Sequence, residues 1–382
     1  MKVMLIFGTR PEAIKLAPVI TALSNDPNFE TIVVVTAQHR DLLDGVLNLF
    51  GIKPDIDLNL MRLNQSPTSV AAAILAGLEP ILATHKPDWV LVQGDTTTVM
   101  AAAIAAHYAR IRVGHVEAGL RSYDRANPFP EEMNRVITGH ISDLHFAPTA
   151  GARDNLLREG IDPNSVIVTG NTVIDALLTA SKTPWAPHHG SPLVALPLNR
   201  RWLLVTAHRR ENFGQPIRDI CQALIRLADR GDTHIIYPVH PNPNIQGPVY
   251  ELLGSHPAIT LTAPLEYHPL IWLMSRCELV LTDSGGIQEE APSLGKPILV
   301  MRKTTERPEA IEAGAAKLVG TEPDGIVTEA SRLLDNQQVY EAMAHAINPY
   351  GDGRAAGRIL AALRGDFGAA EWGTRNSQGV DF

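Results

Sequence analysis

The chain has 382 residues, more than one ordinary α/β core accommodates, so two domains of typical size are expected. Its formal net charge of -8 excludes a generic nucleic-acid surface, because binding to a phosphate backbone leans on clustered positive charge. Cys221 and Cys277 are its two cysteines and lack metal-ligand spacing, which excludes a disulfide framework and a cysteine zinc site and points to the cytoplasm.

The N-terminus, MKVMLIFGTRPE, has too short an apolar run for a signal peptide. No later run approaches the roughly eighteen apolar residues of a membrane span, so a soluble protein without a membrane partner is expected. Strand candidates at 2–7, 31–36, 88–93, 111–116, 144–146 and 165–169 alternate with helical patterns, as in a parallel doubly wound sheet. A helix over 171–180 leads into 182–199, which is rich in Pro, His, Gly and Ser and reads as a linker. A second strand-and-helix series starts with RWLLVTA at 201 and continues through 233–237, 258–261, 278–282, 297–300 and 316–319. After Gly351, RAAGRILAALRG has helical period, and 369–382 reads as a frayed end. The expected domains are therefore 1–170, a connecting helix and linker at 171–199, a second α/β domain at 200–353, and a C-terminal helix and tail at 354–382.

Ligands of such sheets bind beyond the carboxyl ends of the strands. After the first strand comes Gly8-Thr9-Arg10-Pro11-Glu12, with Lys15 further along; GxGxxG is absent, so NAD is not expected, and Arg10 and Lys15 can pair with phosphate. After the third comes QGDTTT, where Asp95 can serve as a helix N-cap. GHVEAGLRS follows the fourth and sets Glu117 among small residues that permit close approach of a substrate. In PFPEEMNR, Pro130 suits a helix start and Glu131 faces Arg135 at i, i+4. Three carboxylates from three successive loops at one sheet edge suit acid and base chemistry.

In the second half VTAHRREN places His208 at a strand end, where it can hold a phosphate or shuttle a proton. His240 in YPVHPNP reads as structural. In LVLTDSGGIQEEAPSLGKP, Asp283 and Ser284 offer N-cap oxygens, and Gly285 and Gly286 bare the helix-start N–H groups to an anion. Glu290 near the opening turns can accept from ribose hydroxyls, and Arg307 in TTERPE can clamp a phosphate. Together these residues suggest a grip on a nucleoside diphosphate. His107, His115, His140, His145 and His256 form no metal pattern, so no metal is expected.

From GTRPEAIKLAP through TAQHRDLL, QGDTTT, GHVEAGLRS, PFPEEMNR, GNTVIDAL, VTAHRREN and TDSGGIQEEAPSLGKP to TTERPEA and NPYGDG, the chain resembles the bacterial non-hydrolysing UDP-N-acetylglucosamine 2-epimerases. The resemblance implies an α/β protein of two Rossmann-like domains with a cleft between them, similar to the GT-B glycosyltransferases, with a C-terminal helix returning to the first domain. It also implies homodimers, a UDP-sugar substrate, and neither cofactor nor metal. Carried over, it puts Arg10, Lys15, His208, Ser284, Gly285, Gly286, Glu290 and Arg307 around UDP. Asp95, Glu117 and Glu131 would face the sugar, supported by Arg135 and His208. Leu265 and Leu270 stand near the uracil, where some relatives carry Gln and Phe. Relatives that are activated by a second UDP-sugar use positions that here resemble Gln38, Asp41, Asn64 and Arg210, of which Asp41 and Asn64 depart from the pattern.

The implied reaction is reversible inversion at carbon 2 of UDP-N-acetylglucosamine, giving the manno epimer for surface polysaccharide. The carbon 2 proton is barely acidic until the bond from carbon 1 to UDP breaks, so elimination to 2-acetamidoglucal and re-addition is expected. A hydrolysing epimerase and a glycosyltransferase of the same architecture are the alternatives.

Overall fold

The computed structural model of the chain describes residues 1–36, 40–60 and 65–372, the side chains of 40–42 excepted. Gln38 and Asn64 lie outside the described residues, as does the Asp41 side chain. The chain divides into two units, one of Met1–Ala176 with the segment from Tyr350 on, the other of Leu177–Pro349.

Seven parallel strands carry the first unit: β1 (Lys2–Phe7), β2 (Glu30–Val35), β3 (Ile56–Asp57), β4 (Trp89–Gln93), β5 (Arg112–Val116), β6 (Leu144–Ala147) and β7 (Val166–Val168). Between them run α1 (Arg10–Ser24), α2 (Arg40–Leu49), α3 (Pro67–His85), α4 (Thr97–Tyr108), α5 (Glu131–Ile141) and α6 (Ala150–Arg158), with α7 (Thr172–Lys182) after β7. Val3 to Phe7 are all fully buried, as a strand covered by helices on both faces requires. The sheet order is β3-β2-β1-β4-β5-β6-β7, so the chain winds outward from β1 and then returns beside it at β4. The reversal opens a crevice at the carboxyl ends of β1 and β4. β3 is a two-residue strand with no apolar run to mark it, and the sequence reading passes over it.

α3 corrects one expectation. By length and composition it could cross a membrane, with a mean hydropathy of 1.4, although Glu79 and Pro80 interrupt its apolar residues. Its Ile74, Leu78 and Leu82 are buried in a core shared with Val90 and Val92 of β4 and the alanines of α4.

The C-terminal α15 (Ala355–Leu363) and α16 (Phe367–Ala370) belong to the first unit. α15 packs on α1, and the Asp175 carboxylate of α7 accepts from the backbone N–H groups of Ala355 at 3.2 Å and Ala356 at 2.9 Å. The expected frayed end is packed as far as Trp372: Ala370 is buried and the Trp372 N–H donates to the Val168 carbonyl at 2.7 Å.

The second unit repeats the plan with six parallel strands: β8 (Arg201–Thr206), β9 (Thr233–Pro238), β10 (Ile259–Thr262), β11 (Leu279–Thr282), β12 (Ile298–Val300) and β13 (Ala316–Leu318). Their order, β10-β9-β8-β11-β12-β13, reverses between β8 and β11. The helices are α8 (Gln215–Ala228), α9 (Pro243–Leu253), α10 (Tyr267–Arg276), α11 (Gly285–Glu290), α12 (Pro308–Glu312), α13 (Pro323–Asp335) and α14 (Gln337–Ala344). Ile217, Ile220, Leu224 and Leu227 form the apolar stripe of α8 and pack with Leu203, Val205 and Ile235 of the sheet.

The expected linker at 182–199 is a packed segment of this unit. Leu193 and Leu196 are buried, Trp185 meets Trp272 edge-on with ring centres 5.1 Å apart, and the Trp202 indole N–H donates to the Pro197 carbonyl. Its regular structure is confined to one 3-10 turn over Pro192–Ala195, and its apolar anchors still dock.

Candidate active site

In the first unit the loops after β1, β4 and β5 and the start of α5 converge at the carboxyl edge of the sheet. Gly8 is obligatory there, since a Cβ would stand 2.2 Å from Thr36 Oγ1. Glu12, on the first turn of α1, reaches back: Oε2 accepts from the Gly8 N–H at 2.9 Å and the Thr9 N–H at 2.6 Å, while Oε1 accepts from the Thr96 hydroxyl at 2.5 Å. One buried carboxylate therefore ties the β1 loop to the β4 loop. Burial pushes the Glu12 carboxyl up, against the opposing pull of those donors.

Asp95 does not serve as a helix cap. The N-cap of α4 is Thr96, whose hydroxyl accepts from the Val99 N–H, and Asp95 turns instead to Arg135. Arg135 donates Nε at 2.9 Å and Nη2 at 2.6 Å to Asp95 Oδ2, and its Nη1 donates at 2.9 Å to Glu132. The expected i, i+4 pair of Glu131 with Arg135 is thus replaced by a long-range pair and an i, i+3 pair. Asn134 donates to the Asp95 carbonyl, and His115 bonds the Gly94 carbonyl at 2.7 Å. Burial depresses the His115 imidazole to about 3, so it is neutral and serves as a fixed strut under the Asp95 loop.

Glu117 follows β5 with a positive φ of 65°, unusual for a residue with a side chain, and is buried. Its Oε2 accepts from Lys15 Nζ at 2.5 Å and from the Gln93 amide. Lys15, expected to pair with phosphate, thus lies beside Glu117. Glu131 opens α5, and its neighbour Glu132 is buried, accepting from the Ser122 and Tyr123 N–H groups. Burial pushes Glu132 up, but these amides and Arg135 outweigh it and hold the carboxyl below its usual range. Arg10 begins α1 beside this edge.

The second unit gathers its residues at the β8–β11 reversal. Asp283, fully buried just after β11, accepts from the N–H groups of His208 at 2.8 Å and Arg209 at 2.9 Å and from the Asn212 amide. The cap oxygens expected at Asp283 and Ser284 are thus unused: Asp283 faces the β8 loop and Ser284 makes no side-chain cap bond to α11. His208 Nδ1 lies 3.3 Å from Asp283, and the His208 ring stacks on His240 with centres 5.6 Å apart and planes 17° apart. Burial lowers the His208 imidazole, Asp283 draws it back, and Arg209 and His240 push it down again.

A Cβ on Gly285 would stand 3.2 Å from Glu306 Oε1, 3.5 Å from Arg209 Nη2 and 3.9 Å from Arg307 Cζ, so two guanidinium groups flank the amino end of α11. Arg209 donates to Glu306 at 2.7 Å and Arg307 to Glu289. Gly286 follows in the first turn of α11, and Glu290 closes the helix, buried, accepting from the Tyr267 hydroxyl at 2.8 Å. Leu265 and Leu270 are half-buried around the start of α10, the helix that carries Tyr267. A separate cavity of about 300 Å³, lined among others by Lys182, Trp185, His268, Trp272 and Arg276, includes none of these residues.

Sequence reasoning misses Glu12, Gln93, Glu132 and the stacking of His240. Glu12, Gln93 and His240 lie at or within a few residues of a strand end, which is the available signal, whereas Glu132 sits in the first turn of α5. Among the described residues no cluster of His, Cys, Asp or Glu could hold a metal.

The family described as UDP-N-acetylglucosamine 2-epimerase matches residues 21–364. The UDP-N-acetylglucosamine 2-epimerase of Salmonella typhimurium is 54% identical over 370 residues, spanning 95% of this chain and 98% of its own. The UDP-GlcNAc 2-epimerase of Neisseria meningitidis bound to UDP-GlcNAc is 47% identical with a TM-score of 0.85, over 96% of this chain and 100% of that one. That of Methanocaldococcus jannaschii in complex with UDP-GlcNAc and UDP is 36% identical with a TM-score of 0.76, over 95% and 99%. A glycotransferase of kitacinnamycin, 14% identical with a TM-score of 0.63, shares the fold.

Proposed function

The chain belongs to the UDP-N-acetylglucosamine 2-epimerase family, and from that membership we propose that it interconverts UDP-N-acetylglucosamine and UDP-N-acetylmannosamine without hydrolysis. The observation that carries the chemistry is the pair of carboxylates at the ends of adjacent strands, Asp95 after β4 and Glu117 after β5, each held by a cation. A simple UDP carrier has no use for that arrangement.

The bond from carbon 1 to the β-phosphate oxygen breaks and its electron pair leaves with UDP. The oxocarbenium-like centre acidifies carbon 2, whose proton passes to a carboxylate, leaving the carbon 1–carbon 2 double bond of 2-acetamidoglucal. Return of a proton to the opposite face of carbon 2, and attack of the UDP oxygen on carbon 1, complete the inversion. Asp95, Glu117 and Glu131 are the assigned proton carriers, with Arg135 fixing Asp95. The UDP ligands assigned in the second unit are His208, Ser284, Gly285, Gly286, Glu290 and Arg307, with Leu265 and Leu270 near the base; Arg10 and Lys15 face the diphosphate. The buried Glu290, fixed by Tyr267, suits the ribose hydroxyls, and the guanidinium groups beside Gly285 suit a departing diphosphate.

The test is proton NMR and mass spectrometry of UDP-N-acetylglucosamine incubated with the purified chain in heavy water. Two UDP-sugars carrying deuterium at carbon 2 are expected. Free N-acetylmannosamine with UDP replaces this reading by hydrolysis, and no exchange despite UDP binding replaces it by a transferase.

A further inference from the structure

Gln93 ends β4, and in the parallel register its Cα partner on β5 is Val116, the residue before Glu117. Its amide therefore emerges from the sheet one residue short of the acid on the next strand. The side chain is 2% exposed, and Nε2 donates to Glu117 Oε2. Lys15, from α1, donates to that same oxygen at 2.5 Å. Two donors from different elements converge on one carboxylate oxygen, and the carboxylate is carried on a backbone held at positive φ.

Such a geometry does more than satisfy a buried amide. A carboxylate turns freely about its terminal torsion, and one donor fixes a distance without fixing the plane. A second donor from a different direction fixes the plane of the carboxylate. An aliphatic residue of equal size at 93 would pack as well against the sheet and supply none of this.

We propose that Gln93 is a positioning residue for proton transfer, holding the plane of the Glu117 carboxylate in which it exchanges the carbon 2 proton of the sugar. This rests on the epimerase reading given above and deepens it. Glu117 is the catalytic residue; Gln93 acts through it and does not touch the substrate.

The test compares the full-length wild type with Gln93→Met, which keeps side-chain length and burial but removes the donor, and Gln93→Asn, which keeps the donor but shortens its reach. Steady-state turnover of UDP-N-acetylglucosamine is measured with protium and with deuterium at carbon 2. Both variants are expected to lose about 10- to 100-fold in kcat with KM within about threefold, and to show a larger isotope effect than wild type as proton transfer becomes limiting. A kcat within about twofold of wild type in Gln93→Met overturns the proposal. So does a loss of kcat with an unchanged isotope effect and a lowered thermal midpoint in both variants, which marks a purely structural role. If wild type itself leaves the substrate unchanged, the epimerase reading falls first and takes the proposal with it.

Discussion

Two guanidinium nitrogens of Arg135 meet one carboxylate oxygen of Asp95 across a separation that no local motif explains. Asp95→Asn keeps the shape and removes the charge; Glu117→Gln does the same beside Lys15. Each is expected to lower kcat by roughly two to four orders of magnitude while calorimetric UDP affinity stays within several-fold, since most groups assigned to UDP lie in the other unit. Unchanged turnover in both variants would remove these acids from the mechanism. The sequence makes their presence legible, three acids in three strand-end loops, but not their partners. Helical spacing points Arg135 at Glu131, and the tertiary fold gives it Asp95 and Glu132. Likewise a residue preceding a helix reads as a cap, yet Asp95 is drawn away to Arg135 of α5 and Asp283 to the loop after β8. Local rules see only local competitors, so they fail where a functional loop is held by another strand.

The elements were legible where periodicity is strong, and the strand runs match the observed strands to within a residue or so at each end. What escaped was conveyed by single side chains, as at the α7–α15 junction. Asp175 is 7% exposed, and burial pushes its carboxyl up to about 6, against the two α15 amides that favour its charge. Its folded value therefore lies above the ordinary aspartate value of 3.8. The folded chain holds this proton more tightly, so the stabilising contribution is complete below about pH 4 and is lost as pH rises through 6. Asp175→Asn, which cannot ionise, should escape that loss. Relative to wild type its stability should improve by on the order of 2–3 kcal/mol between pH 4 and pH 7, read from urea midpoints. A difference that does not vary with pH would mean that the amides already offset the burial.

For the whole molecule, the least satisfied feature is α3. An 18-residue window of it has a mean hydropathy of 1.4, yet 17% of that window is buried, so most of an apolar helix faces outward from its own unit. Exposed Ala72, Ala76 and Ala83 recur at helical spacing with half-buried Leu75 and Ile81 alongside, and Tyr108 at the end of the neighbouring α4 is 78% exposed. Small residues let a second helix approach closely, and the exposed Glu79 with Pro80 makes burial of this face in hydrocarbon costly. We propose that a second copy of the chain covers this face, as the homodimer that the resemblance implies would require. Light scattering after size exclusion should then give twice 41.5 kDa, and Ala76→Glu, which places a like charge near Glu79, should shift the protein toward the single-chain mass without unfolding it. A wild-type mass of one chain, or flotation of the protein with lipid vesicles, would assign the α3 face to something other than its own copy.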